Sequence, residues 1–145
     1  QLTYSISHAP ALPEGLRQKA LAALENLPDG NCICHGDLHP MNIVLNPQGW
    51  VIIDWIAASR GNPLGDLARS TIILLGAAVT SQVPNPALKA FVRLFHGAVV
   101  REYFRQNPGG ETEYRRWLPV MAAARLSEEI PELEAWLLAQ AQAGV

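Results

Sequence analysis

The segment that most constrains the fold runs from residue 43 to residue 53. Ile43-Val44-Leu45 and Trp50-Val51-Ile52-Ile53 are short apolar runs, with Asn46-Pro47-Gln48-Gly49 between them. Pro47 presets φ for the second position of a turn, Asn46 suits the first and Gly49 the fourth, as in a type I turn. Two strands joined by such a turn fold back on each other as a hairpin. The hairpin returns Asp54 to the side of Asn42, twelve positions away along the chain. The polar residues on either side of the hairpin thereby share one place.

Those residues carry the chemistry. Cys32-Ile33-Cys34 reads as a short buried strand that delivers the chain into the loop His35-Gly36-Asp37-Leu38-His39-Pro40-Met41-Asn42. An acid stands at Asp37, an amide five residues on at Asn42, and a second acid at Asp54. Phosphoryl transfer needs a positioned hydroxyl, a group to take its proton, and metal to hold and neutralise the phosphates. Asp37 is the candidate proton acceptor. Asn42 and Asp54 are the candidate metal ligands, because hard cations prefer oxygen. The interval from Asp37 to Asn42 equals that of the kinase catalytic loop H-R-D-L-x-x-x-N, and Asp54 falls where the metal-binding acid of that scheme stands. Two blander readings fit less well. Cys32, Cys34, His35 and His39 crowd too closely for a structural zinc site. His35-x-Asp37-x-His39 as a metal hydrolase leaves Asn42 and Asp54 unexplained.

The remainder reads as helix. The spacing of Leu16, Ala20, Leu24 and Leu27 predicts a helix over 14–27, stopped by Pro28-Asp29-Gly30, with Arg17 off its apolar face. Residues 1–12 carry little pattern, and 57–65 read as a loop. A strongly apolar helix over 67–80, capped by Asp66, is expected to be the central buried one. Further helices are expected over 86–105, with Leu88, Phe91, Val92, Phe95, Val99 and Tyr103 on one side, over 111–126, and over 131–142 behind Pro131. The aromatic residues Phe91, Phe95, Tyr103 and Phe104 are expected in the core. The fold class is mainly α (α+β): a helical domain with one small hairpin carrying the polar loop.

The motif HGDLHPMN followed by VIIDW resembles the aminoglycoside phosphotransferase and choline kinase group, relatives of the protein kinases. The resemblance continues through Gly61-Asn62-Pro63-Leu64-Gly65-Asp66-Leu67-Ala68-Arg69 and covers residues 33–69 closely. It implies that Asp37 is the catalytic base and that Asn42 and Asp54 bind Mg²⁺, with ATP or another nucleoside triphosphate as donor. It also implies that His35 packs the loop, that His39 contacts the transferred phosphate, and that Asp66, Arg69 and Trp55 support the site structurally. Gly36 replaces the Arg of the protein-kinase triplet. The chain departs from the group in two ways. Ile56-Ala57-Ala58-Ser59 is uncharged where many members carry an acid. Lys19 and Lys89 both fall in expected helices, so neither supplies the strand Lys of a nucleotide-binding lobe. The expectation is therefore the C-terminal lobe of a longer kinase, spanning residues 1–145 with the N-terminal lobe absent.

With 49% hydrophobic and 17% charged residues the chain is globular. A net charge of -2 gives no bulk basicity for nucleic acid, and no apolar run reaches membrane-spanning length. With two closely spaced thiols and no visible signal peptide, a cytoplasmic location is expected. The expected partners are a small-molecule hydroxyl acceptor, the absent lobe, or a second copy covering the exposed inter-lobe face. The alternative to an enzyme is a non-catalytic binding or regulatory module derived from a kinase lobe.

Overall fold

The computed structural model describes residues 1–81 and 83–144. Among the described residues, six helices and four short strands make a mainly α structure of the α+β class. They are α1 (Leu2–Ser7), α2 (Glu14–Glu25), β1 (Cys32–Cys34), β2 (Ile43–Asn46), β3 (Gly49–Ile52), β4 (Ser59–Gly61), α3 (Pro63–Ala77), α4 (Pro86–Gln106), α5 (Glu111–Arg125) and α6 (Pro131–Gln142). Single 3-10 turns cover Pro40–Asn42, Trp55–Ala57 and Leu126–Glu128.

The hairpin forms as its turn chemistry dictates. β2 and β3 pair antiparallel, Ile43 opposite Ile52 and Asn46 opposite Gly49. Asn46 Oδ1 accepts the Gln48 N–H at 2.9 Å, an Asx-type closure of the turn. Gly49 takes φ 124°, which a side chain would resist.

Four expectations are corrected. Residues 2–7 form α1, whose last carbonyls are gathered by Arg17. Its guanidinium donates to the carbonyls of Ile6, Ser7, Ala9 and Leu12 at 2.6–3.0 Å. Arg17 is therefore a cross-link between α1 and α2 and not a solvated side chain. The segment 57–65 contains β4, which pairs antiparallel with β1, and the first turn of α3. Asp66 is not the cap of α3. Asn62 is, accepting the Leu64 N–H at 2.9 Å ahead of Pro63.

Burial is also distributed differently. α3 buries Ala68, Thr71, Ile72 and Ile73, but α5 buries Tyr114, Trp117, Val120, Met121 and Ala122–Ala124 and is the helix on which α1, α2, α3 and α6 converge. Small alanines let the neighbouring backbones approach α5 closely, which its flanking Glu and Arg residues obscure in the sequence. α4 buries none of its residues completely, and Phe91 is exposed. Phe104 meets the expectation of packing, edge-on against Tyr114 with ring centres 5.6 Å apart. No helix among the described residues is long and apolar enough to cross a membrane.

Candidate active site

The loop between β1 and β2 is held from below by α3. Asp66, in the first turn of that helix, accepts the His35 N–H and the Gly36 N–H, one on each carboxylate oxygen, both at 2.8 Å. Arg69, one turn further on, donates from Nε to the Gly36 carbonyl. Its Nη2 pairs with Glu128 at 3.0 Å. The peptide around Gly36 is thus clamped on its N–H and its C=O sides by one helix. Gly36 sits at φ 78°, and a Cβ there would lie 2.5 Å from the Ala57 carbonyl oxygen, so only glycine fits.

His35 is buried, with its ring 4.7 Å from that of Trp55. Its Nε2 lies 2.9 Å from the Ile53 carbonyl, and its Nδ1 accepts the Asp37 N–H at 3.2 Å. Only the neutral imidazole with its proton on Nε2 satisfies both bonds. His35 therefore ties the start of the loop to the end of β3.

Asn42 lies at the far end of the loop and is buried. Its Nδ2 donates to the Asp37 carbonyl at 2.9 Å, and its own carbonyl accepts the Ile53 N–H at 2.9 Å. Asn42 thereby joins both acids through the backbone, Asp37 directly and Asp54 through its neighbour. Among the described residues Asn42 Oδ1 accepts no hydrogen bond and the Asp54 carboxylate has no hydrogen-bond or ion-pair partner. Asp54 adopts the left-handed conformation at φ 62°, uncommon outside glycine and concentrated at functional sites. The Asp37 carboxylate is half-exposed, with the His39 Nε2 3.6 Å away. That same nitrogen lies 3.4 Å from Asn42 Nδ2, so His39 is turned into the loop.

The uncommitted oxygens are two carboxylates and one amide oxygen, a hard donor set that fits Mg²⁺ better than zinc. Among the described residues no group of three or more His, Cys, Asp and Glu side chains forms a metal cage. Such a sparse set suits an ion whose remaining ligands come from phosphate and water. Both cysteines are free, with Cys34 buried and Cys32 exposed. Burial, then the Asp66 charge, pushes the Cys34 thiol up, away from the thiolate a metal would need.

Glu128 and Arg125, both beside the site, escaped the sequence reading. Their i, i+3 spacing at the end of α5 is visible in the sequence, but nothing there points 59 residues back from Glu128 to Arg69.

The model of the phosphotransferase enzyme family, APH, matches residues 5–108. No curated protein matches the chain, and no solved structure does. The match takes in the end of α1, all of α2 to α4 and the whole loop and hairpin, well over half of the 145 residues, and so the chain belongs to the phosphotransferase enzyme family.

Proposed function

We propose that this chain is the C-terminal, catalytic and acceptor-binding lobe of an ATP-dependent small-molecule kinase, cytoplasmic, acting on a hydroxyl of a metabolite or antibiotic. One observation carries the reading: Asn42 is fixed by both its side chain and its carbonyl between Asp37 and Ile53, leaving its Oδ1 and the carboxylates of Asp37 and Asp54 uncommitted. Asp37 takes the proton of the acceptor hydroxyl as that oxygen bonds to the γ-phosphorus and the bond to the nucleoside diphosphate breaks. Asn42 Oδ1 and the Asp54 carboxylate would hold Mg²⁺, which when bound supplies the positive charge that phosphate transfer requires. His39 reaches the transferred phosphate by rotating out of its contact with Asp37. His35 and Asp66 keep the loop in place. A nucleotide-binding lobe, carrying the phosphate-pairing Lys, covers the hairpin.

The test is made on the enzyme that includes such a lobe. Asp37→Ala removes turnover, by about 10²–10⁴-fold for a lost general base, and leaves nucleotide binding nearly intact. Asp54→Ala loses Mg²⁺-dependent nucleotide binding and turnover together. Equal small effects from both substitutions would overturn these roles, and wild-type protein that binds acceptor without turnover would leave a binding module. The 145-residue chain alone is expected to bind ATP only weakly and to transfer no phosphate. Calorimetric titration with ATP and Mg²⁺ checks this, and micromolar binding would refute the single-lobe assignment.

A further inference from the structure

We propose that Glu128 is a positioning residue for Asp37: acting through Arg69, its carboxylate holds the peptide bond that leads into the proposed base. This rests on the phosphotransferase reading above and concerns a residue outside the family-matched segment.

The backbone of Asp37 is held on both sides. The peptide ahead of it has its carbonyl, that of Gly36, bonded by Arg69 Nε. The N–H of the same peptide donates to His35 Nδ1 at 3.2 Å. The peptide behind Asp37 has its carbonyl bonded by Asn42 Nδ2 at 2.9 Å. Peptide units are rigid planes, so holding the planes on both sides of a residue fixes its φ and ψ. The Asp37 carboxylate then keeps only its side-chain rotations. His35 and Asn42 belong to the loop itself. Arg69 is the one of the three that ties the Asp37 backbone to a helix, α3.

Glu128 sets where Arg69 stands. Arg69 Nη2 donates to Glu128 Oε1 at 3.0 Å, and Glu128 Oε2 lies 3.3 Å from Arg125 Nε. Among the described residues neither guanidinium has another acid within ion-pair distance. One negative charge thus stands between two positive ones and keeps them together. Without that charge the two guanidinium groups repel each other. Arg125 cannot yield, because its side chain is only 12% exposed. Arg69 can. With Gly36 and Glu128 it lines a cavity of about 710 Å³, which gives its guanidinium water to turn into. The turn takes Nε off the Gly36 carbonyl. Asp37, Asn42 and Asp54 do not line this cavity, so the effect reaches Asp37 through the peptide and not by contact.

Amide hydrogen exchange of the 145-residue chain, read residue by residue by NMR, tests this. Glu128→Gln keeps the shape of the side chain and removes its charge. It is expected to speed exchange of the Asp37 amide at least about tenfold more than that of the core amides of Val120 and Ile72, the loss of one charge-assisted hydrogen bond in a local opening. A loss of stability alone would speed all three alike, and that outcome overturns the proposal. Glu128→Asp keeps the charge on a shorter arm and is expected to fall between the wild type and Glu128→Gln. Glu102→Gln removes the same charge from the exposed pair with Arg105 and is expected to leave Asp37 unchanged. If Glu128→Gln fails to fold by circular dichroism, Glu128→Asp decides, and exchange equal to the wild type then overturns the proposal. In the two-lobe enzyme Glu128→Gln is expected to lower kcat at least about tenfold and to leave the KM for ATP unchanged, as for a misplaced base. Faster exchange at Asp37 with an unchanged kcat overturns the positioning role. A wild-type two-lobe enzyme without turnover removes the kinase reading and leaves the hold of Glu128 on Asp37, which exchange measures by itself. Turnover with equal exchange in the wild type and Glu128→Gln does the reverse.

Discussion

At the scale of single residues, the site depends on a backbone that few side chains allow. Gly36 has a positive φ, and its missing Cβ faces the Ala57 carbonyl, a backbone atom that cannot swing away. Gly36→Ala is expected to destabilise the protein by about 2–4 kcal/mol, combining left-handed strain with overpacking. Urea unfolding checks it, and a loss within experimental error would show that the loop relaxes freely. The residues Asp37, Asn42 and Asp54 stand out in the sequence by type and spacing, and the turn at Asn46–Gly49 explains how Ile53 returns to the Asn42 carbonyl. The means by which Asp66 supports the site was not legible. An acid just ahead of an apolar run reads as a cap, but Pro63 behind Asn62 is the stronger start signal, and it moves the helix back by one turn. Asp66 is then free to face the loop, a relation over thirty residues that local pattern does not encode.

At the scale of elements, helices longer than two turns were legible from their period, because each buries one stripe. α1, with six residues, has too little stripe to read and is held by Arg17 from the next helix. Ser59-Arg60-Gly61 has no strand-like pattern, and it becomes β4 because β1 lies alongside it. α4 is joined to the core partly by a polar chain. His96 Nε2 lies 3.1 Å from Thr71 Oγ1 on α3, which lies 2.7 Å from the Tyr114 hydroxyl on α5. Burial lowers the His96 pKa, and burial raises that of Tyr114. A lowered folded pKa means that the unfolded chain binds the proton more readily. The stability His96 contributes is therefore complete above its unfolded pKa of about 6.5 and is lost as pH falls through the lower folded value. The melting temperature should fall more steeply below about pH 6.5 in the wild type than in His96→Gln, which lacks this one imidazole. Parallel curves for the two proteins would show that the imidazole is as well solvated folded as unfolded.

At the scale of the whole molecule, the surface is too large for the chain. Its accessible area is 8614 Å², against about 7,300 Å² for a compact monomer of this mass. The excess of roughly 1,300 Å² exceeds the ~800 Å² that each partner contributes to a standard interface. Part of it lies on and beside the hairpin, and part on α4, where Phe91 and Leu94 are exposed. Leu45 is 62% exposed, Trp50 73% and Ile56 95%, and Val44 and Val51 are exposed on the opposite face of the hairpin from Leu45 and Trp50. No charge interrupts residues 43–53, and both outer edges of the two-stranded sheet are unpaired. A lone hairpin is marginal in water, and edges without lysine, glutamate or a bulge invite pairing. In a two-lobe kinase the second lobe would cover this face. In the 145-residue chain a second copy is the partner always at hand, and antiparallel pairing of two such edges closes as a symmetric dimer. Sedimentation equilibrium should therefore show concentration-dependent dimers of the wild type. The double substitution Leu45→Lys with Trp50→Lys should return the chain to monomers with an unchanged helical circular dichroism spectrum, because neither side chain enters the helical core. A wild-type chain that stays monomeric up to its solubility limit would mean that this apolar face is tolerated in water without a partner, and the case for a covering lobe would lose its physical ground.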